Sequence, residues 1–96
     1  MALWNALKRE LDKAGQVAQS AVDEGKLRLE AHRARQRAES AAASLGYAVY
    51  RARVAGGELE AERFGNLAAN IASAEADVAR LEAEIADASS RRSTAG

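Results

Sequence analysis

From Leu27 the chain sets apolar residues at alternating spacings of four and three, through Ala31, Ala34, Ala38, Ala41, Leu45, Ala48 and Ala52. After an interruption at Ala55-Gly56-Gly57-Glu58 the same rhythm resumes from Phe64 through Leu67, Ile71, Ala74, Val78, Leu81, Ile85 and Ala88. A mean repeat of about 3.5 residues keeps one stripe of a helix turned towards a partner helix. Two such stripes either side of a Gly-Gly break predict an all-α fold, an antiparallel two-helix coiled-coil hairpin over residues 26–90 that turns near 55–58. The seams differ in size. Six of the eight positions on the first arm are Ala, whereas the second brings Phe64, Leu67, Ile71, Val78, Leu81 and Ile85, and small residues opposite large ones let helix axes come close.

The first 25 residues keep a different rhythm. Leu3, Leu7 and Leu11, then Ala14, Ala18 and Val22, then Gly25 and Leu29 recur every 11 residues, a period that holds one stripe along a nearly straight helix. The 3-4 seam does not extend backwards on this reading, because its earlier positions would be Glu24, Ser20, Val17, Lys13 and Glu10. Residues 1–25 are therefore expected to form an amphipathic N-terminal helical extension whose register changes near Gly25. No partner for it is evident within the chain. At about 1.5 Å per residue, a helix from Leu3 to Val54 would be near 78 Å and a return arm from Leu59 to Ser90 near 48 Å. Residues 91–96, with Ser89-Ser90 before them, read as a flexible polar tail whose Arg91 and Arg92 suit a helix carboxyl end.

Composition sharpens this picture in two ways. In 96 residues, 25 are Ala and aromatics make up only 4%, so helix propensity is high and burial per residue low. A single hairpin of this size offers a small core, which points to self-association or a partner. The chain has no Pro and no Cys. Nothing forces a break in a long helix, and disulfides, thiolate nucleophiles and thiolate metal sites are all excluded. The amino terminus reaches Lys8, Arg9 and Glu10 without the apolar run of a secretory signal. No stretch approaches the roughly 20 apolar residues of a membrane span.

The net charge of zero conceals a segregation. Residues 31–56 hold five arginines (Arg33, Arg35, Arg37, Arg51 and Arg53) against Glu39, a balance of +4. Residues 57–88 hold Glu58, Glu60, Glu62, Glu75, Asp77, Glu82, Glu84 and Asp87 against Arg63 and Arg80, a balance of −6. The arms should attract. An antiparallel turn sets Arg37 opposite Asp77 and Arg35 between Glu75 and Glu82, while Glu30 beside Glu84 and Arg51 beside Arg63 break the match. Exposed pairs contribute about 0.3–0.5 kcal/mol each, so these charges choose orientation more than they hold the fold.

Few residues offer chemistry. His32 follows seam residue Ala31 and should point to solvent rather than serve as a base or ligand. Glu82 with Glu84, and Glu75 with Asp77, are two apart and cannot share a helix face. The glycines form no phosphate loop. No catalytic, cofactor-binding or metal-binding residue is assigned, and no small-molecule substrate is expected. Arg33, Arg35, Arg37, Arg91 and Arg92 are the candidate phosphate contacts, but the acidic arm beside them disfavours nucleic acid. Tyr47, Tyr50 and Val54 form a second stripe near the turn, expected to cover Leu59 and the returning chain, with an outer docking patch as the alternative.

The opening Leu3-Trp4-Asn5-Ala6-Leu7-Lys8, the stretch Leu11-Asp12-Lys13-Ala14-Gly15-Gln16, and Leu45-Gly46-Tyr47-Ala48-Val49-Tyr50 resemble the helical region of small uncharacterised bacterial proteins that often continue into a C-terminal zinc ribbon. The resemblance spans Leu3 to Ala88. It implies an amphipathic helix ahead of an antiparallel coiled-coil hairpin, in a group whose function is largely unassigned. The cysteines of the ribbon are missing here, which removes the metal module and any role that goes with it.

These readings converge on a non-enzymatic helical interaction or scaffold protein, a homo-oligomer or the binder of a protein partner, located in the cytoplasm. Leu3, Trp4, Leu7 and Leu11 are its expected N-terminal contact stripe. Leu45, Phe64, Leu67, Ile71, Val78, Leu81 and Ile85 are its hairpin seam. Three roles stay open for the stripe: pairing with a second copy, folding back on the hairpin as a third helix, or docking on an anionic membrane surface with Trp4 at the interface and Lys8, Arg9 and Lys13 near head groups. In the last case the protein would sit at the inner face of the membrane.

Overall fold

The computed structural model describes residues 2–95, and consists of two helices, α1 (Ala2–Val54) and α2 (Ala61–Ala95). The hairpin is antiparallel: Arg53 pairs with Glu58 across the turn, Arg35 with Glu82 midway, and Glu24 with Arg92 at the far end. The molecule is a rod, 82 Å long and about 17 Å by 16 Å across its backbone. No register break or kink is needed at Gly25, because α1 is one uninterrupted helix through that position. The extension and the first arm of the hairpin are a single element.

The seam lies where the 3-4 pattern put it on α1. Leu27, Ala38, Ala41, Leu45 and Ala52 are half-buried, and Ala31, Ala34 and Ala48 are buried. On α2, Leu67, Ile71, Val78, Ile85 and Ala88 are half-buried, while Ala74 and Leu81 are buried. The centre of the core is Ala31 and Ala34, both 0% exposed, against Leu81 at 2%, with Leu27, Val78 and Ile85 packed round them. An alanine methyl lets the facing helix approach until a leucine covers it completely, so small-on-large pairing is how this narrow rod buries anything.

Three expectations need correction. The seam continues one step further back, to Glu24, which is only 9% exposed. The segment 91–96 is not a free tail through most of its length, since α2 remains helical to Ala95; Gly96 lies outside the described residues. Both corrections have one cause: Arg92 reaches across to the Glu24 carboxylate, whose other oxygen accepts from Arg28 at 3.1 Å. Phe64, assigned to the seam, is 49% exposed. It falls in the first turn of α2, whose opening hydrogen bond runs from the Phe64 amide to the Glu60 carbonyl at 2.8 Å. Glu60 is thus the N-cap, and half-buried Leu59 and Phe64 occupy the two positions of a hydrophobic staple. Phe64 therefore stands at the entry into α2, at staple spacing from Leu59, instead of extending the seam.

The turn is a Schellman motif. The Gly57 amide donates to the Ala52 carbonyl and the Gly56 amide to the Arg53 carbonyl, both at 3.0 Å. Gly56 has φ +89°, a conformation in which a Cβ is strained. Gly56→Ala is therefore expected to lower hairpin stability by about 1–2 kcal/mol, read as a fall in melting temperature by circular dichroism. Leu81→Asp, which sets a charge against Ala31 and Ala34, should abolish the helical signal of the paired region at ordinary temperature. A parent-like melt for Leu81→Asp would mean that the seam is misassigned.

Candidate interaction surface

Because α2 ends at Ala95 and Arg92 is level with Glu24, the part of α1 before Glu24 has no helix beside it. Residues 2–23 are exposed on every side, a projection of about 33 Å. Ser20, the next seam position after Glu24, is exposed for this reason.

Helix geometry sets the projection's apolar stripe on the back of α1. At about 100° per residue, Leu3, Leu7, Leu11, Ala14, Ala18 and Val22 fall in one sector of about 100°, with Trp4 at its edge. The seam residues Leu27, Ala31, Ala34 and Ala38 fall on the opposite side. The stripe consequently does not lead into the hairpin interface. It runs past Glu24 along the outer surface to Leu29, and all its large members are exposed, from Leu3 at 85% and Trp4 at 63% to about half for Leu7, Val22 and Leu29. The folded-back third helix is not adopted, since α1 is continuous.

Tyr47, Tyr50 and Val54 return to this outer face near the turn and are also exposed. The Arg51 guanidinium stacks over the Tyr47 ring, 5.6 Å from its centroid. Two shallow depressions open beside it. One is lined by Ala43, Ser44, Tyr47, Ala48, Arg51 and Arg63, the other by Ala43, Gly46, Tyr47 and Tyr50. Arg51 and Arg63, the like-charged neighbours that spoiled the charge match, line the same depression.

Of the expected cross-arm pairs, Arg35 with Glu82 is formed at 3.4 Å. Asp77, expected opposite Arg37, is engaged by Arg80 at 3.8 Å, and Glu84 by the same Arg80 at 3.3 Å. Pairs three or four apart on one helix reach each other without spanning the seam. His32 is exposed, as its position implied. Among the described residues no group of three His, Cys, Asp or Glu side chains is placed to hold a metal ion, and no helix is long and apolar enough to cross a membrane.

The Glu24 cluster was missed from sequence because a glutamate at a seam position reads as the seam's end. Its signal was the register itself: once Arg35 is level with Glu82, an antiparallel pair brings Glu24 level with the residues just after Ser90. Comparison with protein-family models, curated proteins and solved structures finds no match for the chain. The assignment of the surface therefore rests on its own geometry.

The cluster makes a specific prediction. Glu24→Ala removes the anchor of the last turn of α2, and since Arg28 and Arg92 are both largely exposed the loss should be about 1 kcal/mol or less. Fraying of that turn should nonetheless speed tryptic cleavage at Arg91 and Arg92 severalfold, while the melting temperature barely moves. Unchanged cleavage would show that the contact does not hold the helix end.

Proposed function

We propose that this chain is a non-enzymatic helical interaction protein in which the hairpin is a rigid stem and residues 2–23 are the docking element, engaging a second copy or another protein in the cytoplasm. The observation that carries the reading is the length of α1 left without a partner while displaying Leu3, Trp4, Leu7 and Leu11 on one face. An isolated helix of this length is marginal in water, and such a stripe gains stability only by being covered. The small seam supports the same reading, since the stem buries few large side chains of its own. The resemblance to the helical region of small bacterial zinc-ribbon proteins fits a stem with an amphipathic extension.

A second reading has its own observation. Leu3 and Trp4 sit at the tip, the most exposed part of the stripe, with Lys8, Arg9 and Lys13 nearby. That arrangement suits a peripheral contact with an anionic membrane surface, where each basic residue adds about 1 kcal/mol and Glu10 and Asp12 oppose it.

Two measurements separate them. A docking element that pairs with protein copies makes the melting temperature rise with chain concentration, by mass action. Deletion of residues 1–23 should abolish that dependence and leave the stem helical. Trp4 is the sole tryptophan, so its fluorescence reports the tip alone. A blue shift on adding phosphatidylserine vesicles, lost in Leu7→Asp, is the expected result for lipid docking; an unshifted spectrum assigns the stripe to protein contacts.

A further inference from the structure

Resting on the docking reading above, we infer that the occupant of the stripe is a second copy of this chain, lying antiparallel to the first along residues 3–29, with the two-fold axis near Gln16. Three features of the chain point to this partner, and each is independent of the others.

The stripe is complementary to its own reverse in size. Its first half is bulky (Leu3, Leu7 and Leu11) and its second half small (Ala14, Ala18, Val22 and Gly25). An antiparallel copy centred at Gln16 brings Leu7 opposite Gly25, Leu11 opposite Ala21 and beside Val22, and Ala14 opposite Ala18. Leu3 then reaches Leu29 on the back of the stem. A parallel copy would stack bulk on bulk and leave the small half gaping. The same small-on-large rule seats Leu81 over Ala31 and Ala34 within the hairpin.

Two glycines have no explanation inside one chain. Gly15 and Gly25 lie within the helical α1, neither has positive φ, and a Cβ at either would meet nothing within 4 Å. A mid-helix glycine is less favourable than alanine by roughly 1 kcal/mol, and the fold gains nothing from it there. Both fall on the side of the stripe, where a missing Cβ admits the close approach of another helix. Gly46 and Gly65 are equally open but lie outside this segment.

Charge favours the same orientation. Residues 2–13 carry Lys8, Arg9 and Lys13 against Glu10 and Asp12, a balance of +1, whereas residues 14–25 carry only Asp23 and Glu24, a balance of −2. Reversal sets the basic half of each copy on the half of the other that carries Asp23 and Glu24; Glu24 is already held by Arg28 and Arg92 within the stem, so Asp23 supplies the attraction. The effect is modest and salt-sensitive. Lipid fits less well, because the Ala and Gly half of the stripe has little to insert and the nearby charges almost balance. A contact strip about 40 Å long and 10 Å wide on each copy covers on the order of 800 Å² in all, at the weak end of specific interfaces, so micromolar affinity is expected.

The test uses the full chain, in which any introduced cysteine is the only one. Sedimentation equilibrium should show a monomer–dimer equilibrium in the micromolar range. In the dimer, Asn5→Cys carrying a nitroxide should give an inter-label distance of about 33 Å by pulsed electron resonance, against about 10–20 Å for a parallel pair. Leu7→Asp should raise the dimer Kd at least a hundredfold. Gly25→Leu, which meets open space within the chain, should raise it at least tenfold while the dilute melting temperature stays at or above the parent's. A dimer with close labels, or one indifferent to Leu7→Asp and Gly25→Leu, overturns the antiparallel pairing alone. A chain monomeric at several hundred micromolar that docks on vesicles also overturns it and leaves a docking role; a monomer that docks on neither overturns both.

Discussion

Ala31 and Ala34 give the hairpin its closeness: with α1 presenting nothing larger than a methyl at these two positions, Leu81 of α2 can be enclosed almost completely in a rod only two helices wide. Two-helix assemblies have no third layer to close over their side chains, so burial has to come from proximity. The position of that contact sets the register, and the register sets everything beyond it. Arg35 becomes level with Glu82 and Arg92 with Glu24, and α2 runs out while much of α1 remains. The exposed projection is a consequence of register and of unequal arm lengths, not of any weakness in its own helix pattern.

Electrostatics has a narrower part than the segregated charges imply. The two arms carry opposite balances, yet of the cross-arm pairs the pattern anticipated, Arg35 with Glu82 is the one formed, and Arg80 spends its guanidinium on Asp77 and Glu84 of its own helix. Opposite fields favour the antiparallel meeting of the arms, while local neighbours take the individual contacts. The one pairing with structural consequence is at Glu24, where a buried carboxylate holds one arginine from each helix and marks the end of the stem.

Much of this was legible in the residues. A 3-4 spacing from Leu27 to Ala52 is directly a statement about one helix face, and each of those positions is buried or half-buried. The Gly-Gly break located the turn because only a residue tolerant of positive φ closes a Schellman motif, and Gly56 has that φ. Periodicity failed at the ends, where it is silent about which partner is present. Phe64 has seam spacing but stands at a staple position; Glu24 lacks seam chemistry but has seam geometry; Arg92 reads as a tail residue until the opposing helix is set beside it. The back stripe of α1 was visible as an 11-residue repeat, but its placement opposite the seam emerges only when both periods are laid on one continuous helix.

The central claim is that α1, though unbroken, has two regimes of stability that meet at Glu24. Residue-resolved amide hydrogen exchange, recorded where the chain is dilute enough to be monomeric, tests it most directly. Residues 27–52 should be protected together with the facing part of α2, and protection should fall sharply towards the amino terminus across Glu24, leaving residues 2–23 close to the rates of an isolated helix. Uniform protection along the whole of α1 under those conditions would contradict the account, because the projection would then be stable without a partner.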